Sequence, residues 1–184
     1  MQALKEWAVV CKALEQGRQV VLLRKGGVLE YRQGFEVKHD KFLMFPTYEH
    51  QSRDHLQPDY ANEIENLPDN PDGGTNRLTS YGQVIEVKET TDRSLLKKLA
   101  RFHIWNESYV NARMDYNPRK PMSVILLRVF KLDTPIDVEI RDEWAGCKSW
   151  IPLEMDAASA QPVLDDGQFS RVAAEVREVL SIAA

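Results

Sequence analysis

Gln19-Val20-Val21-Leu22-Leu23-Arg24-Lys25-Gly26-Gly27 is the stretch on which the reading of the fold turns. Residues 20–23 are an unbroken β-branched and aliphatic run, too short for a helix, and Gly26-Gly27 closes it with a turn. The run therefore reads as a buried strand that carries Arg24 and Lys25 to a glycine turn. Upstream, Leu4, Trp7, Ala8, Cys11 and Leu14 recur at three- and four-residue intervals, so a helix over residues 4–14 is expected, stopped at Gly17. Downstream, residues 42–45 read as a second strand ending at Pro46. Residues 57–80, with Pro58, Pro68, Pro71, Gly73 and Gly74, read as a long polar loop. Residues 83–88 alternate as a strand, and Asp92 is placed to cap a helix containing Leu95, Leu96 and Leu99. Helical spacing resumes through Trp105, Tyr109 and Met114. Residues 123–132 form the longest β-like run and are expected to be a central strand. Phe169, Val172, Ala173, Val176, Val179 and Leu180, behind Asp165 and Asp166, mark a C-terminal amphipathic helix. Leu22-Leu23-Arg24 is weakly echoed in Leu126-Leu127-Arg128. Strands without regular βα alternation predict an α+β fold, a small curved sheet or partly open barrel covered by helices, with residues 1–184 as a single domain.

The 184 residues, 43% hydrophobic and 28% charged, can build a core without staples. Two cysteines, Cys11 and Cys147, form neither a zinc spacing nor a disulfide framework, so no metal site and a cytoplasmic location are expected. Lys5 and Glu6 interrupt the start before any apolar run, so no membrane span is expected there. The net charge of -4 hides segregation. Residues 18–41 carry six basic and three acidic side chains, and residues 93–131 carry nine and two. Residues 49–72 carry seven acids and one base, and residues 133–184 eleven and four. Two basic segments on one face would attract phosphates; basic and acidic segments paired in the fold would not.

Four groups of residues carry chemistry. Arg24 and Lys25, beside glycines whose backbone N–H groups can approach an anion, suit phosphate binding. His39, Thr47, Tyr48, Glu49, His50, Gln51, Arg53 and His55 gather three of the four histidines. They fit either a polar network that holds a loop or the capture of an unstacked base by Tyr48, His50 and Gln51. Asp72 with Glu86-Val87-Lys88 resembles the two acids and lysine of PD-(D/E)xK nucleases, which hold Mg²⁺ beside an attacking water. Finally, His103, Trp105, Asn106, Tyr109 and Arg113 offer an aromatic and basic helix face that could line a nucleic-acid strand or pack into the core. Cys147 beside Lys148 is either a reactive thiol or a packed one.

The order helix, Gly17, strand, Arg24 resembles the Gly-x-Lys-x-x-Glu-x-Arg signature of ASCH domains. Gln19 and Leu22 stand where that signature has Lys and Glu. ASCH domains belong to the PUA-like barrel superfamily, so the resemblance implies binding of RNA or modified bases. Leu4-Lys5-Glu6-Trp7-Ala8-Val9-Val10, residues 22–27, Phe45-Pro46-Thr47-Tyr48-Glu49-His50-Gln51, His103-Ile104-Trp105 and Leu126-Leu127-Arg128-Val129 are similar to the bacterial domain of unknown function 1802. Some members of that family are joined to an Mrr-type restriction nuclease domain, which implies a DNA-related role.

The expectation is a PUA-like module that binds RNA or DNA without catalysis and without a cofactor. Arg24, Lys25, His50, Gln51, Arg113 and Arg128 should then surround one cleft. The alternatives are a Mg²⁺-dependent nuclease using Asp72, Glu86 and Lys88, linked to restriction, and a protein-interaction module that docks through its acidic loop.

Overall fold

In the computed structural model, the residues described are 1–25, 39–67, 74–146, 148–153, 155 and 159–181. Seven strands, β1 (Gln2–Trp7), β2 (Val21–Arg24), β3 (Lys41–Thr47), β4 (Thr75–Thr90), β5 (Met122–Glu139), β6 (Trp150–Pro152) and β7 (Ala160–Pro162), form one mixed sheet. Five helices cover it: α1 (Ala8–Glu15), α2 (Pro58–Ala61), α3 (Arg93–Lys98), α4 (Glu107–Asp115) and α5 (Asp166–Ser181). The strand order is β2-β5-β4-β3-β1-β6, with β7 paired to β5 beyond the end of β2. Among the described residues, only the β1–β3 pair is parallel. The register of β4 on β5 slips between Leu78 and Ser80 and again between Val84 and Glu86, and such bulges let a long ribbon bend. The product is the expected α+β fold, a curled half-barrel sheet with a C-terminal helix.

The opening stretch departs from expectation. Residues 2–7 are strand, and the helix begins only at Ala8. Leu4 and Glu6 alternate inward with Lys5 and Trp7 between them, and the parallel ladder to β3 outweighs a helical spacing that the following turn happens to continue. The helix does end at Gly17, whose φ is +69°. Gly17 N–H donates to the Leu14 carbonyl (3.1 Å) and Arg18 N–H to the Ala13 carbonyl (3.0 Å), the paired bonds of a Schellman end.

β2 lies where the apolar run predicted it, and Val21, Leu22 and Leu23 are buried. It pairs antiparallel with the start of β5, Val21 opposite Leu126 and Arg24 opposite Ser123. β5 is central as expected, but it runs on to Glu139, and β3 includes Pro46 rather than stopping before it. The stretch 57–80 is less loop than its composition predicts. Residues 58–61 form a helical turn and residues 75–80 already belong to β4, while residues 68–73 lie outside the described residues. Asp92 caps α3 by accepting from the backbone of Ser94 and Leu95. Asp165 and Gln168 cap α5 reciprocally: Asp165 Oδ1 accepts from Gln168 N–H (2.8 Å) and Gln168 Oε1 from Asp165 N–H (3.1 Å). Trp105 precedes α4 rather than lying on it, and Asn106 caps the helix by accepting from Tyr109 N–H. Among the described residues no helix is long and apolar enough to cross a membrane.

Candidate functional site

Arg24 leaves the end of β2 and meets the end of β1. Its guanidinium donates to Glu6 Oε2 (3.0 Å), the Lys5 carbonyl (3.4 Å) and Ser149 Oγ (2.8 Å). Glu6 is only 5% exposed, and its other oxygen accepts from Trp7 N–H (2.8 Å). The carboxylate is thus desolvated and fully bonded, which a buried charge needs in order to persist. Glu6 shares a face of β1 with Leu4, and Arg24, at the end of β2, reaches its carboxylate there.

This pair forms the floor of an open cavity of about 240 Å³. Lys5, Arg24, Arg113 and Lys148 bring four cationic side chains to it, against Glu6 and Glu49. Trp7 and Tyr109 supply aromatic surface, and their rings meet edge to face at 5.5 Å. Burial pushes the Tyr109 phenol up to about 12, so it stays neutral and remains a hydrogen-bond donor. His50 stands exposed at the margin with φ of +62°, a conformation a non-glycine residue adopts at some cost. The Lys5 ammonium is bound by the carbonyls of Trp144 (2.6 Å) and Gly146 (3.1 Å), which fixes a positive charge at one wall.

Of the six residues expected around one cleft, Arg24, His50 and Arg113 converge here. Lys25, Gln51 and Arg128 do not line this cavity. Lys25 is 4% exposed, with Nζ donating to the Met114 carbonyl at the end of α4 (2.7 Å). Burial, then the cations Arg93 and Arg113, lower its pKa, and its role is to close a helix C-terminus. Gly26 and Gly27 lie outside the described residues. Gln51 Oε1 accepts from Val9 N–H (3.0 Å), supplying the cap that Trp7 cannot give α1. Arg128 pairs with Asp166 at the start of α5 and lies over the rings of Phe130 (5.4 Å) and Phe169 (5.3 Å). Gln19 and Leu22, at the signature's Lys and Glu positions, are both buried. Gln19 bonds the Val21 carbonyl and Ile104 N–H, and Leu22 is core.

The remaining candidates are dispersed. His39 meets Trp150 edge to face (5.3 Å), and His55 stacks on Trp7 (6.3 Å). His103 lines a different cavity from His50, so His39, His50 and His103 do not converge. Arg53 pairs with Glu65. In the nuclease pattern, Asp72 lies outside the described residues. Glu86 accepts from Arg177 Nε (2.9 Å), and the Lys88 ammonium donates to the Leu180 carbonyl, so α5 engages both. Among the described residues no group of three His, Cys, Asp or Glu side chains is placed to hold a metal. Cys147 is also outside the described residues. Part of the charge segregation is consumed by pairing: Arg18 and Lys12 meet Glu63, Arg101 meets Glu175, and Arg128 meets Asp166. Arg18 and Lys12 hold the Glu63 carboxyl below the usual range, with the Lys12 bond the larger cause.

Lys5, Glu6, Trp7, Lys148 and Ser149 belong to the site and were not singled out by sequence. The available signal was Glu6. Read as a strand, residues 2–7 put a carboxylate on the same face as Leu4, and a buried acid requires a cation.

The structure is similar to the crystal structure of the ASCH protein from Zymomonas mobilis, with 12% identity, a TM-score of 0.42, and 77% of this chain and 88% of that chain covered. One of its point mutants overlays with a TM-score of 0.43 at 12% identity, covering 77% of this chain and 89% of that one. No curated protein matches the chain significantly. Residues 3–175 match the family described as Domain of unknown function (DUF1802), and the chain belongs to that family.

Proposed function

We propose that the chain is a non-catalytic module that binds single-stranded nucleic acid, RNA or DNA, in the cavity over the Arg24–Glu6 pair. The observation that carries the reading is the convergence of Lys5, Arg24, Arg113 and Lys148 with the rings of Trp7 and Tyr109 in one open cavity. Cationic side chains bind phosphate oxygens, and aromatic surface stacks on a base irrespective of its identity. His50 and Ser149 place further polar groups at the same margin and floor, where they can meet base edges or sugar hydroxyls. Glu6 neutralises Arg24, and Lys5, Arg113 and Lys148 bring three further cationic side chains to the same cavity.

Fluorescence anisotropy with labelled single-stranded RNA and DNA oligomers tests this. Three phosphate contacts on a single strand give a salt slope of about -2, so affinity should fall by about twentyfold between about 50 and about 200 mM salt. No binding at the lower salt would overturn the reading.

A further inference from the structure

Two carboxylates line the Arg24 cavity, and they differ. Glu6 is buried and fully engaged: Oε1 accepts from Trp7 N–H (2.8 Å) and Oε2 from Arg24 (3.0 Å). Glu49 stands exposed at the margin, and among the described residues its carboxylate has neither an ion-pair nor a hydrogen-bond partner. Three cations of the same cavity are held elsewhere. Arg24 is bound by Glu6, the Lys5 ammonium by the carbonyls of Trp144 and Gly146, and the Lys148 ammonium by the carbonyl of Glu143. The backbone that carries Glu49 is anchored on both sides. Thr47 pairs with Trp7 in the β1–β3 ladder, and its Oγ1 accepts from Glu49 N–H (3.3 Å). On the other side Gln51 Oε1 accepts from Val9 N–H (3.0 Å) at the start of α1. Between these anchors His50 takes its positive φ, and the turn sets Glu49 and His50 at the edge of the cavity. A side chain on a turn held in this way loses less freedom when a ligand binds.

An unpaired carboxylate among cations weakens the attraction for the phosphates of every strand alike. It favours one ligand over another only where a ligand edge offers donors, because a carboxylate accepts hydrogen bonds and gives none. Given single-stranded nucleic acid as the ligand, the reading on which this rests, we infer that Glu49 makes the cavity selective for guanine. Guanine alone among the common bases presents two adjacent donors, N1–H and the N2 amino group, which match the two oxygens of one carboxylate. Its O6, next to N1–H, is an acceptor for a cationic side chain, and the same cavity supplies those. Adenine and cytosine each set a single amino group beside a ring-nitrogen acceptor. Uracil and thymine place a single N–H between two carbonyl oxygens, which a carboxylate repels. In an unpaired strand this edge of the base is open to a side chain.

The test is fluorescence anisotropy on the full chain, with labelled oligouridine and oligothymidine strands that carry one central guanine, adenine or cytosine. The guanine strand should bind about tenfold tighter than the others and than the unsubstituted parent, the scale of one bidentate pair. Inosine, which is guanosine without the N2 amino group, should lose most of that gain, whereas 7-deazaguanine, altered on the opposite edge, should keep it. Glu49→Gln should abolish the guanine preference and at the same time tighten the guanine-free strands, because a negative charge has left the cavity. The exposed Glu49 side chain bonds nothing in the fold, so this variant should melt with the wild type. Equal affinity for all the strands would overturn the guanine selectivity and leave nucleic-acid binding standing, whereas binding of none of them would overturn both. A guanine preference that persists in Glu49→Gln would contradict the role of Glu49.

Discussion

Two arginines close two identical tripeptides, Leu22-Leu23-Arg24 on β2 and Leu126-Leu127-Arg128 on β5, and the strands that carry them pair antiparallel. Arg24 lies opposite Ser123, five residues from Arg128 along β5, so the two side chains leave the sheet about 17 Å apart at strand spacing. Arg24 finds a buried carboxylate and the floor of a cavity. Arg128 finds Asp166, whose side chain is 90% exposed, and two phenylalanine rings. The same local sequence thus gives one arginine that holds a site together and one that staples a helix to the sheet. The partner decides between them, and neither partner is near in sequence: Glu6 is 18 residues from Arg24 and Asp166 is 38 from Arg128.

Removing each arginine should expose the difference. Arg24→Ala strands the Glu6 carboxylate in a desolvated position with only the Trp7 N–H as partner, and should cost about 3–5 kcal/mol in urea denaturation. Adding Glu6→Gln should recover part of that loss, since the stranded charge is then gone. A loss under about 1 kcal/mol for Arg24→Ala would show that the two arginines are equivalent after all.

His103 sharpens the comparison from the opposite side, as a buried titratable group with no charged partner. Its pKa falls from 6.5 unfolded to about 4 folded, so between those values the unfolded chain binds the extra proton. Stability should therefore decrease as pH falls from 6.5 to about 4, by about 3 kcal/mol in total from this group. His103→Phe should flatten that part of the profile; an unchanged profile would remove His103 as its source. Arg128→Ala should be the mildest, about 1 kcal/mol, because an exposed partner contributes little and the rest is ring contact.

Most of the fold was legible where local chemistry and tertiary context agree. Residues 20–23, Gly17, Asp92, Asp165 and the stripe on α5 each specify their own geometry through burial, a positive φ or a capping carboxylate. Legibility failed at residues 2–7, where a helical spacing coexists with a strand set by pairing to β3, a partner 40 residues away in sequence. That one error hid Glu6, and with it the reason Arg24 is held in place. Arg24, His50 and Arg113, singled out for their conspicuous chemistry, line one cavity. Lys25, Gln51 and Arg128 have equally conspicuous chemistry, but the fold uses it on a helix end, a helix start and a helix face. Which surface an arginine or glutamine serves depends on distant residues, and composition does not carry that information.

The two arginines also supply the most direct test of the proposed nucleic-acid site. Arg113→Ala and Arg128→Ala each remove one arginine, one from the cavity and one from the α5 staple, so oligonucleotide anisotropy on the two variants separates site from net charge. Arg113→Ala should weaken single-stranded binding by about tenfold and reduce the salt slope by about 0.7, while Arg128→Ala should match the wild type. Equal losses in both variants would contradict a localised site and leave only general charge attraction.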